Sequence, residues 1–301
     1  MRVTNPDRVL WPATRTTKAE LIDYYLAVAP ILLPHLRRRP VMLWRFPDGV
    51  DGPGWFQANC RGRPPWLPIA PMIGRSGKTL EYCLVEEPAA LAWLANLGTI
   101  ELHPFLRTVD APAAATVLAL DLDPGPPASL TEACLVALRV RSILDAFALP
   151  SVVKTSGSLG LHVYVPIAGA SFQATKAFAR ALGRRLAAEA PALVVEASRR
   201  SERPGRVFLD WIQNDPNRQM IAAYSARAVA IPLVSTPVSW DEVAAVAESG
   251  RDGDLRFGFR DVLDRIARDG DLFAAALEPG ISLPDAGLIA DVPRAPPALR
   301  A

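Results

Sequence analysis

Apolar and polar positions change period along this chain, and the changes mark out its elements. Leu21, Tyr24, Tyr25 and Val28 recur at helical spacing behind the capping box Thr17-Lys18-Ala19-Glu20, which predicts a helix after an irregular arm over 1–16. Apolar runs of strand length cover 41–46, 79–85 and 99–103, with a helix expected over 88–97. A longer run over 115–122 predicts the next strand, and a second capping box, Ser129-Leu130-Thr131-Glu132, predicts a helix reaching Phe147. Residues 151–154 and 161–165 read as strands around a Gly/Ser loop, 171–190 as a helix and 194–197 as a short strand. Two apolar runs, 206–212 and 220–224, flank a polar turn and predict a hairpin. A third capping box, Ser239-Trp240-Asp241-Glu242, opens another helix; 259–276 is mainly helical, and from 283 the chain is a Pro-rich tail expected to cover the surface. Helices and strands mix without regular βαβ alternation, which predicts an α+β fold.

Composition narrows the class without naming a function. Half of the 301 residues are hydrophobic and 21% are charged, the balance of a soluble globular protein. A net charge of +2 is too small to imply a nucleic-acid partner by itself, so any such partner has to be argued from individual positions. Cys60, Cys83 and Cys134 lie far apart and form no Cys-x-x-Cys pair, so neither a zinc site nor a disulfide is expected, which fits a reducing cytoplasm. Residues 1–16 lack a signal-peptide pattern, and the apolar segment over 24–36 is interrupted by Pro30 and Pro34, so no membrane association is expected.

The chemistry concentrates where apolar strands end in acids. On the strand over 115–122, alternation puts Val117, Ala119, Asp121 and Asp123 on one face, the Cα atoms of the two acids about 6.6 Å apart, so that their side chains could converge on one ion or two. Such a pair reads either as a solvated turn before Pro124-Gly125 or as ligands for a hard divalent cation, magnesium or manganese. Asp210, in Phe208-Leu209-Asp210-Trp211, is a third acid in an apolar setting, explained either by pairing with Arg203 or Arg206 or by the same metal chemistry. Two acids on one strand and one on another suit two-metal phosphoryl transfer, where carboxylates hold the ions that bridge attacking and leaving oxygens. Between them, Lys154-Thr155-Ser156-Gly157-Ser158-Leu159-Gly160 has the small residues of a phosphate-cradling loop and leads into His162. Trp55 and Phe56 follow a turn-rich loop, and strand alternation exposes at least one of them for stacking.

In this order, Asp121-Leu122-Asp123-Pro124-Gly125, Ser156-Gly157-Ser158 through His162, and Asp210 resemble the three motifs of the polymerase domain of bacterial ligase D, a branch of the archaeo-eukaryotic primase superfamily used in non-homologous end joining. Asn5-Pro6-Asp7-Arg8-Val9-Leu10-Trp11-Pro12, Tyr224-Ser225-Ala226-Arg227 and Val234-Ser235-Thr236-Pro237 add to the resemblance, which runs from Thr4 to Leu277. It implies a primase-type palm, an RRM-like antiparallel or mixed sheet in residues 111–282, with an N-terminal α/β subdomain over 1–110 packed beside it and the tail over 283–301 outside this catalytic domain. Asp121, Asp123 and Asp210 would hold two manganese or magnesium ions. His103, Ser156, Ser158, His162, Arg203, Gln213 and Arg227 would contact the incoming nucleotide, and Arg8, Lys18, Trp55 and Phe56 the DNA. The activity implied is primer extension, gap filling and addition of nucleotides, ribonucleotides by preference, at DNA ends carrying a 5′-phosphate. Implied partners are Ku and a separate ATP-dependent DNA ligase, in the cytoplasm at the nucleoid. The resemblance departs at Leu159 and Ala58, where the family usually has lysines. Those two positions leave open a second role, a DNA-end-binding or synapsis module with weak or lost polymerase activity.

Overall fold

The computed structural model describes residues 2–74, 77–196 and 199–293. Ala197 of the short strand expected over 194–197 and residues 294–301 of the expected tail lie outside the described residues. The chain divides into two compact units: one takes residues 1–110, 219–236 and 257–271, the other 111–218, 237–256 and 272–301.

In the first unit, a two-stranded sheet of β1 (Val9–Trp11) and β2 (Thr16–Thr17) leads into α1 (Lys18–Leu36). The Thr17 hydroxyl accepts from the Glu20 N–H and the Glu20 carboxylate accepts from the Thr17 N–H, so two of the helix's free donors are satisfied at once. Pro30 and Pro34 do not end this helix. Each removes one backbone donor, but Val28, Ala29, Leu32 and Leu36 are buried on the same stretch and hold it helical. By length and composition α1 is apolar enough to cross a membrane; here Leu21, Tyr25, Val28 and Leu32 carry its apolar face into the core of the unit. The remaining strands are β3 (Pro40–Arg45), β4 (Trp55–Gln57), β5 (Ile69–Ile73), β6 (Thr79–Leu84) and, after α2 (Pro88–Asn96), β7 (Thr99–Pro104). They form one antiparallel sheet in which β3 pairs with β4 through Leu43–Arg45, with β6 through Pro40 and Val41 and with β7 along Val41–Arg45, while β5 pairs with β6.

Cys60 and Cys83 are joined by a disulfide, their Cα atoms 5.3 Å apart, although the cysteine spacing indicates no disulfide framework. Sequence distance misled because β4 and β6 both pair with β3, so residues 23 apart are brought together. Cys134 is free and buried.

The second unit is a βαββαβ palm. Its strands are β8 (Ala114–Pro124), β9 (Val152–Thr155), β10 (Leu161–Ser171), β11 (Val194–Val195), β12 (Val207–Asp210) and β13 (Pro237–Val238), in the spatial order β11-β12-β8-β10-β9-β13. All pairs are antiparallel except β11 with β12. Two helices, α3 (Leu130–Ala146) and α4 (Phe172–Glu189), connect and pack on the sheet. Leu118, Leu120 and Leu122 of β8 and their register partners Val165, Val163 and Leu161 of β10 are fully buried, with Val136, Val140, Phe178 and Leu182 of the helices in the same core. Truncating such a leucine to alanine costs about 2–5 kcal/mol. The helix α5 (Trp240–Ser249) begins with the third capping box, and α6 (Phe259–Asp269) returns the chain to the first unit. In the tail, 286–291 form a 3₁₀ segment that packs on α4 through buried Ile289.

The hairpin expected from 206–212 and 220–224 does not form. After Asp210 the chain enters a 3₁₀ turn, Trp211–Gln213, and 220–224 belongs to the other unit, where Met220 and Ala222 donate to the carbonyls of Pro104 and Leu102. Both runs are apolar because each lies in a core, not because they pair. Alkylation of the denatured protein before reduction should label one cysteine per chain, Cys134, and three after reduction; three labelled from the outset would refute the Cys60–Cys83 bond.

Candidate active site

Strand register brings the predicted acids and His162 into one transverse row. Asp210 of β12 pairs with Asp121 of β8, Asp121 with His162 of β10, and His162 with Lys154 of β9. Cross-strand partners share a sheet face, so all four side chains lie opposite the leucines that pack under α3 and α4.

Along the row the contacts are direct. His162 Nε2 lies 3.3 Å from Asp121 Oδ1, and Lys154 Nζ lies 2.8 Å from His162 Nδ1. Burial pushes the Asp121 carboxyl up, but His162, Lys154 and the Gln213 amide together outweigh it and hold the group below its ordinary value. Asp210 goes the other way: burial and then the Asp121 charge raise it, against the Ile212 N–H, Arg218 and Arg203. One acid of the pair is thereby kept ionised and the other is biased toward its neutral form.

Gln213 ties the pair together. Its Nε2 donates to Asp210 Oδ2 at 3.1 Å and lies 3.4 Å from Asp121 Oδ2, while the Ile212 N–H donates to Asp210 Oδ1 at 3.0 Å. Asn214, fully buried, fixes this turn: its amide donates to the Ala119 carbonyl at 2.7 Å and accepts from the Ala119 N–H at 3.0 Å, continuing the ladder of β8 where β12 stops. Sequence reasoning passed over Asn214 and Lys154. The signal available was a polar side chain directly after, or within, an apolar strand.

Asp123 lies two residues beyond Asp121 on the same face, and Arg203 Nη1 donates to its Oδ2 at 2.6 Å. The Arg203 loop is laced to the end of β8, with the Gly125 N–H donating to Arg206 and the Gly205 N–H to Gly125. A Cβ at Gly125 would stand 2.5 Å from the Arg203 carbonyl oxygen, so only glycine fits there. In the Gly/Ser loop the Ser156 hydroxyl accepts from the N–H groups of Ser158 and Gly160, at 3.2 and 3.1 Å, closing the turn between β9 and β10. Leu159, at the tip, is 42% exposed.

The remaining predicted residues lie in the first unit. Phe56 stacks on Trp44 at 4.8 Å and meets His103 edge-on, and Arg45 lies over Trp55; Trp55 and Phe56 remain 45% and 57% exposed. Beneath them Glu101, fully buried, accepts from Arg227 Nη1 at 2.9 Å and from the Ala228 N–H at 2.8 Å, and its Oε2 lies 2.8 Å from His103 Nε2. Glu101 thus joins two predicted nucleotide contacts, His103 and Arg227, and was not anticipated. Arg8 pairs with Asp48 at the surface. Lys18 is buried, and its ammonium donates to the carbonyls of Thr4 and Asn96; burial, and then Arg8, lower its pKa.

Among the described residues no group of three or more His, Cys, Asp and Glu converges at metal-binding spacing. What exists is the adjacent pair Asp121 and Asp210, with Asp123 engaged by Arg203. The donor set is nonetheless all carboxylate oxygen, which suits magnesium or manganese, and the repulsion that raises Asp210 is what a divalent cation would offset.

Comparison with known proteins gives a consistent result. The family model described as "LigD, primase-polymerase domain" matches residues 17–273. The chain is 40% identical over 279 residues to the multifunctional non-homologous end joining protein LigD of Mycolicibacterium smegmatis, and 26% identical over 272 residues to the bifunctional LigD of Bacillus subtilis. These alignments cover 91% and 90% of this chain but 36% and 43% of the two relatives, so the chain spans well under half of their length. Among solved structures it is similar to the polymerase domain of Mycobacterium tuberculosis ligase D in complex with DNA, with a TM-score of 0.85 and 36% identity, covering 92% of this chain and 98% of that one.

The opposite shifts of the acid pair carry opposite signs in stability. Asp121, held low, contributes stability above its unfolded pKa that is lost as pH falls through its folded pKa. Asp210, held high, costs stability once pH rises past its unfolded value and it must ionise in the fold. In chelator at neutral pH, Asp121→Asn should therefore lose about 1–3 kcal/mol and Asp210→Asn should melt at or above wild type, where each kcal/mol is about 2–4 °C in Tm. Both differences should shrink in acid. An Asp121→Asn protein melting above wild type at neutral pH would contradict this electrostatic assignment.

Proposed function

This chain belongs to the LigD primase-polymerase domain family, and from that premise we propose that it is a DNA-repair nucleotidyltransferase that extends primers, fills short gaps and adds nucleotides at DNA ends. The observation that carries the reading is the row Asp210, Asp121, His162 on one face of a palm sheet, with Asp123 one alternation further along. Two divalent cations, manganese or magnesium, held by Asp121, Asp123 and Asp210 would neutralise the phosphates and activate the attacking 3′-hydroxyl. Asp121, held below its ordinary value, is the readier of the two to accept a cation, whose charge would also oppose the burial and the Asp121 repulsion that raise Asp210. Arg203 would exchange its Asp123 contact for the triphosphate, bringing a donor fork matched to phosphate oxygens. His162 would donate to the nucleotide's anionic oxygens, beside Ser156 and Ser158.

His103, Gln213 and Arg227 complete the proposed nucleotide contacts. Trp55 and Phe56 offer exposed aromatic faces that accept any base, so binding would be sequence-tolerant. Arg8 and Lys18 would serve the 5′-phosphate, Arg8 from the surface and Lys18 only after its contacts to Thr4 and Asn96 open. Ku and an ATP-dependent ligase would act with the protein at the nucleoid in the cytoplasm. A purely DNA-end-binding role is not favoured by these similarities, and Leu159 and Ala58 then set the rate, not the class, of the reaction.

Primer extension on a gapped duplex bearing a 5′-phosphate, with manganese and each nucleotide pool, tests the proposal. Incorporation should fall about a thousand-fold or more in an Asp121→Ala, Asp123→Ala double variant, several kcal/mol of lost transition-state stabilisation. Undiminished incorporation would sink the assignment. Replacing Leu159 and Ala58 with lysine should raise incorporation about ten- to a hundred-fold, one or two charge-assisted contacts regained. No gain would show that those charges are not limiting.

A further inference from the structure

Lys154 takes no part in the reaction outlined above, yet its side chain is completely buried in the palm. Burying an ammonium is costly unless its donors are satisfied, and an unbranched apolar residue such as methionine would fill the same strand position without that penalty. The position is also specific. β9 places Lys154 in register with His162, on the far side of the imidazole from Asp121. Its Nζ lies 2.8 Å from His162 Nδ1, and Tyr164 lies beside it, with the ring centre 5.9 Å from the same nitrogen.

Hydrogen-bond polarity then runs in one direction. An ammonium has donors and no acceptor, so Nδ1 must be the acceptor, and a neutral imidazole that accepts at Nδ1 carries its proton on Nε2. Asp121 Oδ1 lies 3.3 Å from that nitrogen. The order is therefore ammonium to imidazole to carboxylate, set by three adjacent strands and not by any loop.

We propose that Lys154 is a positioning residue that locks His162 in its Nε2–H form, so that the imidazole offers the site a hydrogen-bond donor and not a lone pair. The inference rests on the reading that His162 meets the nucleotide. It adds why this histidine serves an anion: with a proton on Nε2 it donates to Asp121 or to a triphosphate oxygen, and it has no lone pair there to ligate a cation. The divalent ions are left to the carboxylates, and softer metals that prefer imidazole gain no nitrogen ligand at this position.

The tautomer can be read without metal, nucleotide or turnover. The chain has three histidines, so in protein labelled with ¹⁵N-histidine the His162 signals are assigned by their loss in a His162→Gln variant. In chelator at mildly alkaline pH, two-bond ¹⁵N–¹H correlations should show wild-type His162 as Nε2–H. In Lys154→Met the population should move toward Nδ1–H, and the KM for a nucleoside triphosphate should rise about ten-fold or more, the scale on which partners that orient a functional imidazole act. A wild-type His162 protonated on Nδ1, or a Lys154→Met spectrum identical to wild type, would overturn the proposal. If Lys154→Met does not fold, the wild-type spectrum still decides. A protein that extends no primer would refute the polymerase reading and leave the tautomer to be judged on its own spectrum.

Discussion

Two carboxylates directly opposite each other on hydrogen-bonded strands repel, and the palm is arranged around that repulsion. Asp121 and Asp210 cannot move apart, because the register of β8 and β12 that pairs them also buries Leu122 and Leu209 in the core. The remaining freedom is electrostatic. On one side His162 and Lys154 stabilise the Asp121 charge; on the other, Asp210 is pushed toward neutrality. Gln213 bridges the two with a single amide, and Asn214 holds that amide by replacing a missing strand. The site is thus a polar stripe one residue wide across an apolar sheet, and its order is the order of the strands.

The same economy of design appears in the first unit, where one buried acid organises an arginine and a histidine. Glu101 lies on β7 opposite Trp44, accepts from Arg227 and a backbone amide, and contacts His103. Trp44 stacks on Phe56, so the exposed aromatic pair and the charged cluster beneath it are parts of one packed assembly. Removing one partner from such a buried network leaves the others uncompensated, which is why these groups act together.

Much of this was legible in the sequence because it rests on local pattern. Three capping boxes marked their helix starts, alternation put Asp121 and Asp123 on one face, and the apolar run around Asp210 gave the strand that carries it. What failed depended on distant partners. Pro30 and Pro34 read as breaks, but packing of Val28, Leu32 and Leu36 overrides them. Two apolar runs joined by a turn read as a hairpin, yet they enter different cores. Cys60 and Cys83 gave no spacing signal because a third strand brings them together. Lys154 and Glu101 were invisible for the same reason: a buried charge is recognised by what lies across the sheet from it.

The way the chain is shared between its two units has a consequence for how the protein is made. The first unit takes residues 1–110 but is completed only by 219–236 and 257–271, which supply the carbonyl of Tyr224 for the Tyr24 hydroxyl and the Ser225 hydroxyl beside Tyr25. Synthesis delivers chains N-terminus first. The opening 110 residues therefore leave the ribosome with α1 facing an unfinished core, and must wait through the whole of the βαββαβ palm for their closing segments. No single cut yields either unit as one continuous piece. Genetic dissection of this protein into separately expressed halves would leave each with exposed core, so the two units are bound to be inherited and folded together.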